Sequence, residues 1–327
     1  MTAVQAVRPP QAAAPPLAVP TRSWSRVRYG AVAVDGLAFD DALEVLHGRL
    51  AAGYGGVVVT PNTDHLVRAR RNPEIAAVYE QATLSLPDGV PLVWMARLLG
   101  LPVREKVSGS DLLLPLLRTA AAAGAPVYFL GARPETCRKA AARALAALPG
   151  LRIVGSSSPM VDLDGDQTAV LEALDEARRL GARLVVVALG CPKQELTMAR
   201  HAWRVPQATF VGLGASLDFL AGDVRRAPGW LSAAGLEWLY RLCQEPRRLW
   251  RRYLVDSLGA APVFGSMVLG RLRARPLVSE RRAVGWPASP PVPPAPPPTW
   301  AVFRDLNVAV SGSAPTAAGR GARRPRG

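Results

Sequence analysis

Val57-Val58-Val59-Thr60-Pro61-Asn62-Thr63-Asp64-His65 opens the stretch on which the fold turns, and Leu84-Ser85-Leu86-Pro87-Asp88-Gly89 closes it. A run of β-branched residues followed by Thr-Pro-Asn predicts a strand that ends in a polar loop. The intervening residues have helical periodicity, divided by Asn72-Pro73, with Pro73 at the first position of a second helical piece. A short second strand then ends in a loop that carries an acid. Ligands of open α/β sheets sit outside the carboxyl ends of the strands. Parallel strands would therefore bring Thr60, Asn62 and Asp88 to one mouth.

Working outward, Val32 to Leu37 reads as a first strand or β-turn. It leads into a helix from Asp40 to Ala52 whose apolar stripe is Phe39, Leu43, Leu46 and Leu50, with Asp40 as N-cap and Gly53 as stop. On the other side, Val90 to Leu99 is a helix ended by Gly100. Leu112 to Ala123 is another, capped by Ser110 or Asp111. Strands at Pro126–Leu130, Leu151–Gly155, Leu184–Leu189 and Ala208–Val211 then alternate with helices at Glu135–Leu148 and Val170–Leu180 and with one that the Gly190-to-Glu195 stretch turns into, reaching about Trp203. Leu184–Leu189 is continuously apolar, as a strand covered on both faces must be. This alternation predicts an α/β fold, a mostly parallel sheet flanked by helices.

Composition sets the limits of the folded unit. Hydrophobic residues make up 49% of the 327, enough for a sizeable core, and the 31 prolines crowd both ends. Residues 1–25 are Ala/Pro-rich, and 286–299 can only be extended because proline fixes φ and lacks an amide donor. Both ends read as disordered, leaving a folded unit from about Arg26 to Arg275. The net charge is +15, and from Arg241 to Arg282 ten arginines face only Glu245, Asp256 and Glu280, a balance of +7. Such a segment suits phosphate, on nucleic acid or on an anionic membrane. Cys137, Cys191 and Cys243 are isolated, which fits a reducing cytosol rather than a disulfide framework. His47, His65 and His201 make no zinc-type spacing with them, so no metal is expected. The N-terminus lacks a signal-peptide pattern, and no run reaches the about 18 to 20 apolar residues of a spanning helix. The best run, Leu254 to Leu269, is broken by Asp256, Pro262 and two glycines.

Several groups of residues carry two readings each. Thr60 and Asn62 could bond a sugar or a uracil edge, or be ordinary turn residues. Asp88 could be a general base or a helix cap, roles that do not exclude each other. Lys106 and Arg133 lie in loops where a cation could hold a diphosphate, or simply be solvated. Gly190-Cys191-Pro192-Lys193-Gln194-Glu195 could present amides and a long polar side chain to an anion, or be a capped helix start. Gly212-Leu213-Gly214 is a fragment of a dinucleotide fingerprint whose third glycine is replaced by Leu217, and no acid follows at the required distance, so a nicotinamide cofactor is not expected. From Arg225 to Tyr253, arginine interleaves with Trp and Tyr. Arg241, Arg248, Arg251 and Arg252 share one side, suited to phosphate or a lipid–water boundary, or to an amphipathic helix whose arginines snorkel.

Taken in order, Thr60-x-Asn62, Pro87-Asp88-Gly89, Val107-Ser108-Gly109-Ser110-Asp111, Leu189-Gly190-x-Pro192-Lys193-Gln194-Glu195, Gly212-x-Gly214-Ala215-x-x-Asp218-Phe219 and Gly235-Leu236-Glu237-Trp238-Leu239-Tyr240-Arg241 resemble one family. It is that of the WecG/TagA/CpsF glycosyltransferases (glycosyltransferase family 26). The resemblance spans about Asp35 to Tyr253. It implies a Rossmann-like catalytic domain of the GT-E type with no cofactor or metal, and a basic aromatic C-terminal helical appendage. It implies inverting transfer of a hexose, often N-acetylmannosamine, from a UDP-sugar to a polyprenyl-diphosphate-linked sugar. By the same resemblance Asp88 takes the general-base place, Thr60 and Asn62 line the sugar site, and Gln194 contacts substrate. Arg241, Arg248 and Arg251 fall in an appendage that closes over the site, binds diphosphate and brings the enzyme to the membrane. Where the family has arginine before its Val-Thr-Gly-x-Asp pattern, this chain has Lys106, which keeps the charge but lacks the bidentate fork.

The expected plan is a tail at 1–25, a catalytic domain at 26–228, the appendage at 229–275 and a second tail at 276–327. The expected location is the cytoplasmic face of the cell membrane, with no nucleic-acid partner. The rival readings are a nucleic-acid binder and a non-catalytic membrane-surface scaffold. Both explain the basic segment, and neither uses Thr60, Asn62 and Asp88.

Overall fold

The computed structural model describes residues 22–224, 227–228, 231, 237–244, 246–250, 257–273 and 276–284. Six strands form one parallel sheet: β3 (Gly56–Val59), β4 (Leu84–Ser85), β5 (Val127–Gly131), β6 (Ile153–Ser157), β7 (Leu184–Ala188) and β8 (Thr209–Gly212), in the spatial order β4-β3-β8-β7-β5-β6. The register sets Val58 beside Leu84 on one flank and Val211 on the other, and Val186 beside Val211 and Phe129.

Successive strand residues point to opposite faces, and the two cores divide accordingly. Val185 and Val187 of β7, Tyr128 and Leu130 of β5, Val59 and Phe210 pack in one core; Leu184, Val186, Val127, Phe129, Val58 and Val211 pack in the other. Helices cover both sides, as the continuous apolar runs require. They are α1 (Phe39–Ala52), α2 (Thr63–Arg71), α3 (Pro73–Gln81), α4 (Val90–Leu99), α5 (Gly109–Ala122), α6 (Pro134–Ala147), α7 (Thr168–Arg179), α8 (Lys193–His201) and α9 (Ser216–Ala221). Asn72 ends α2 and caps α3, its Oδ1 accepting from Glu74 N at 2.8 Å, with Pro73 at the first helical position. Gly53 stops α1 in the left-handed region at φ 68°. Two expected caps move: Ala38 rather than Asp40 precedes α1, and Ser108, three residues ahead of Asp111, caps α5.

A second, antiparallel sheet of order β2-β1-β9 joins β1 (Arg22–Tyr29), β2 (Val32–Asp35) and β9 (Val278–Val284). It carries order past both expected boundaries, since β1 starts before Arg26 and β9 lies in the segment expected to be a tail. β9 reads as tail because Glu280, Arg281 and Arg282 interrupt its apolar pattern, which is what an edge strand tolerates. After β8 the C-terminal region supplies α10 (Glu237–Gln244), α11 (Pro246–Trp250) and α12 (Ala261–Leu272).

The small sheet is tied to the large one by a buried ion pair. Arg26 Nε and Nη2 donate to Asp35 Oδ1 and Oδ2 at 2.8 and 2.9 Å, with both side chains essentially inaccessible. Arg26 also donates to the carbonyls of Glu80 and Ala82, and Asp35 Oδ2 accepts from Ser85 N of β4 at 2.7 Å. Removing Asp35 leaves the Arg26 charge without its buried counter-charge and the Ser85 amide without its acceptor. Asp35→Ala should therefore lower unfolding free energy by about 3–5 kcal/mol, read by urea denaturation. A loss below about 1 kcal/mol, the range of an exposed pair, would show that the pair does not anchor the sheet.

Candidate active site

Four loops meet at the carboxyl ends of β3 and β8. The chain leaves β3 for α2 and α3, which pack on one face of the sheet, and leaves β8 for α9, which packs on the other, so the carboxyl ends of these neighbouring strands border a crevice. Thr60 spans it: its buried Oγ1 donates to Gly212 O at 3.1 Å. Leu86 N bonds Val59 O, and Asp88 N bonds Pro61 O at 2.8 Å, laying the Asp88 loop along the Asn62 loop. Val107 N bonds Pro87 O at 2.8 Å, which brings the Lys106 loop in behind it. Gly109, at the start of α5, abuts the Leu213–Ser216 turn so closely that an added Cβ would meet Leu213 O at 3.3 Å.

Asn62 is the N-cap of α2. Its Oδ1 accepts from Asp64 N at 3.1 Å, while its own N–H donates to His65 Nδ1 at 3.1 Å. The cap of α4 falls on Gly89, so Asp88 stands one residue outside that helix, half-buried at the mouth. Gly89 has φ 136°, a conformation that favours glycine, and a Cβ there would sit 3.6 Å from that of Asn62.

Gln194 is 3% exposed, and its amide joins two elements. Oε1 accepts from Gly214 N at 3.0 Å and Nε2 donates to Glu195 Oε1 at 2.9 Å. Gly212 makes room for it, since a Cβ there would lie 2.8 Å from Met198 Cε and 3.1 Å from Gln194 Nε2. The two glycines of the fingerprint-like fragment thus serve this packing. Lys193 turns away and donates to Val161 O at 2.7 Å. Lys106 Nζ lies 3.4 Å from Asp111 Oδ2 and 3.5 Å from Glu237 Oε2, connecting its loop with α5 and α10. Arg133 faces Asp223 at 3.6 Å, beyond the end of β5, and is not among the four loops. Arg241 and Arg248 lie on α10 and α11 with only their backbone described; Arg251 lies outside the described residues.

The profile of the family described as the Glycosyl transferase WecG/TagA/CpsF family matches residues 27–275. This chain belongs to that family. It is 35% identical over 220 residues to the N-acetylglucosaminyldiphosphoundecaprenol N-acetyl-beta-D-mannosaminyltransferase of Bacillus spizizenii, an alignment covering 67% of this chain and 81% of the relative. The mouth described above is thus the candidate active site of a WecG/TagA/CpsF glycosyltransferase.

Beneath the mouth of this transferase lies a cluster that the sequence did not suggest. His65, Cys191 and Glu195 each bring a potential ligand atom within 4.8 Å of the others, although no zinc-type spacing links them. Because His65 Nδ1 accepts the Asn62 amide, Nε2 carries the ring proton, which favours a hydrogen-bonding role over metal ligation. Tyr79 stacks on His65 with centroids 5.9 Å apart. Burial, and then the Glu195 charge, push the Tyr79 hydroxyl and the Cys191 thiol well above their ordinary ranges. His65 was legible in principle: a polar acceptor three residues after an N-cap Asn has capping-box spacing. Glu195 and Glu237 stand in the motifs that carry the resemblance, which assigned them no role.

The thiolate is the reactive form of cysteine. Burial also raises the Cys137 pKa, whereas Cys243 is exposed. Thiol titration of the native protein at about pH 8, near the ordinary cysteine pKa, should therefore label Cys243 promptly. Cys137 should react only after denaturation, and the half-buried Cys191, its thiol held protonated, more slowly than Cys243. Labelling of Cys191 as fast as that of Cys243 would contradict the raised thiol pKa.

Proposed function

We propose that this glycosyltransferase moves a hexose, N-acetylmannosamine or a relative of it, from a UDP-sugar to a polyprenyl-diphosphate-linked sugar in cell-surface polysaccharide biosynthesis. The transfer proceeds in one displacement with inversion and without a metal ion. The observation that carries the reading is the position of Asp88: a half-buried carboxylate at the carboxyl end of the sheet, laid against the Asn62 loop by the Asp88 N–H to Pro61 O bond. The acceptor hydroxyl must lose a proton as it attacks the anomeric carbon, and a carboxylate within hydrogen-bond reach suffices as base. An inverting displacement needs no second, nucleophilic carboxylate.

Departing UDP develops negative charge on its diphosphate, which cations in the site must stabilise. Lys106, Arg241, Arg248 and Arg251 take that task. Lys106 between Asp111 and Glu237 has its charge balanced before substrate arrives, so an entering diphosphate competes with Glu237 for it and couples α10 to the occupied site. Thr60 and Asn62 line the sugar site, and Gln194 acts by fixing the Gly214 amide beside it. The name of the Bacillus spizizenii relative places its acceptor sugar on diphosphoundecaprenol. Among the described residues no helix is long and apolar enough to cross a membrane. A lipid-linked acceptor then calls for peripheral attachment at the cytoplasmic face of the cell membrane, with the segment 229–275 as the attaching and closing appendage.

The test is UDP release from a panel of UDP-sugars with a short-chain polyprenyl-diphosphate-GlcNAc acceptor, comparing wild type with Asp88→Asn, each with EDTA. Acceptor-dependent release should survive EDTA in the wild type and fall by about 10²- to 10⁴-fold in the variant. Wild-type release by Asp88→Asn would place the base elsewhere.

A further inference from the structure

Helix α4, which follows Asp88 directly, is apolar nearly all round: Val90-Pro91-Leu92-Val93-Trp94-Met95-Ala96-Arg97-Leu98-Leu99. Such a helix is expected in an interior. Here only one face is inside, where Leu92, Val93, Ala96 and Leu99 are buried. The other face carries Pro91, Trp94 and Leu98 at helical spacing, with Trp94 60% and Leu98 72% exposed. Helix α12 packs against α4 and feeds Val263 and Met267 into the same core, while Leu269 and Leu272 are exposed, as is Leu258 in the turn before it.

The charge on these segments has one sign. Residues 89–104 and 257–273 contain no acid, and Arg97, Arg104, Arg271 and Arg273 are all exposed. A tryptophan flanked by aliphatics and arginines is the residue set of a helix lying in a lipid–water boundary. A second copy docked through the same face would bring these arginines against their own copies.

We propose that the outer face of α4, continued by α12, rests on an anionic lipid bilayer, so that the catalytic domain itself contributes to the membrane surface beside the C-terminal segment. The inference rests on the reading of a lipid-linked acceptor and adds an orientation to it. Trp94 stands four residues into α4 from Val90, about 6 Å along the helix axis at about 1.5 Å per residue, and Asp88 lies two residues before Val90. The helix that touches lipid therefore leads straight to the proposed base, and an acceptor diphosphate at the bilayer surface reaches the mouth without leaving its membrane. The arginines hold the anionic headgroups, and the apolar stripe enters the upper acyl region.

The test uses the full chain and vesicles of phosphatidylcholine with or without phosphatidylglycerol, read by co-flotation. Trp94→Gln/Leu98→Gln on α4 and Leu269→Gln/Leu272→Gln on α12 are compared with wild type and with Met160→Gln, an exposed apolar residue elsewhere. Wild type and Met160→Gln should bind phosphatidylglycerol vesicles. Each double variant should bind about tenfold or more weakly, and the α4 variant should keep the turnover of a water-soluble short-chain acceptor. Undiminished binding by the α4 variant would overturn the proposal. So would a wild type that ignores vesicles but self-associates through this face, with dissociation in the variants. Vesicle binding lost in the variants, together with no turnover of any polyprenyl acceptor by wild type, would uphold the surface and sink the transferase reading instead.

Discussion

The crevice between β3 and β8 is closed by side chains as well as by the strand ladder. Thr60 Oγ1 reaches Gly212 O, and Gln194 holds Gly214 N from below. Parallel strands end together, so their carboxyl ends leave polar loops at one edge with backbone groups that need partners. In this protein those partners are the neighbouring loops: Pro61 with Asp88, Pro87 with Val107 and Asn62 with His65. The satisfied backbone fixes the loop positions, and Asp88, Asn62 and Lys106 inherit theirs from it.

Under the proposed function, the cations of the chain itself are asked to meet the diphosphate. Lys106 stands between Asp111 and Glu237, one acid on the catalytic domain and one on α10. A cation shared in this way is neutralised while the site is empty and available once phosphate oxygens displace one carboxylate. The Lys106–Glu237 contact links α10 to the mouth, and under the proposed function substrate would compete for it. Buried His65, Tyr79 and Glu195, with the half-buried Cys191, support the same loops from the core side, where a misplaced proton or a missing partner would be felt.

Much of the architecture was legible because it depends on local signals. Asn72-Pro73 breaks one helical run into α2 and α3 by proline geometry, and the apolar run at Leu184–Ala188 can only be a strand covered on both faces. The convergence of Thr60, Asn62 and Asp88 followed from parallel strand ends alone. Long-range contacts were not legible. β1 pairs with β9 across most of the chain, and the Arg26–Asp35 pair finds Ser85 only in three dimensions. The cluster of His65 with Cys191 and Glu195 joins α2 to the start of α8, and Gln194, which reads as a substrate contact, is consumed by the Gly214 amide and Glu195. Sequence reasoning placed the Thr60, Asn62 and Asp88 loops together but did not bring His65 to Cys191 and Glu195.

The central claim is that the carboxyl ends of β3 and β8 hold the nucleotide sugar beside Asp88. The most direct measurement is a crystal structure of the protein soaked with UDP. The account predicts diphosphate density in the crevice bordered by the Thr60–Asn62 loop, the Gly212–Gly214 turn and Lys106, with the Lys106–Glu237 contact opened. UDP bound at the amino ends of the strands, or on a surface remote from Asp88, would contradict it.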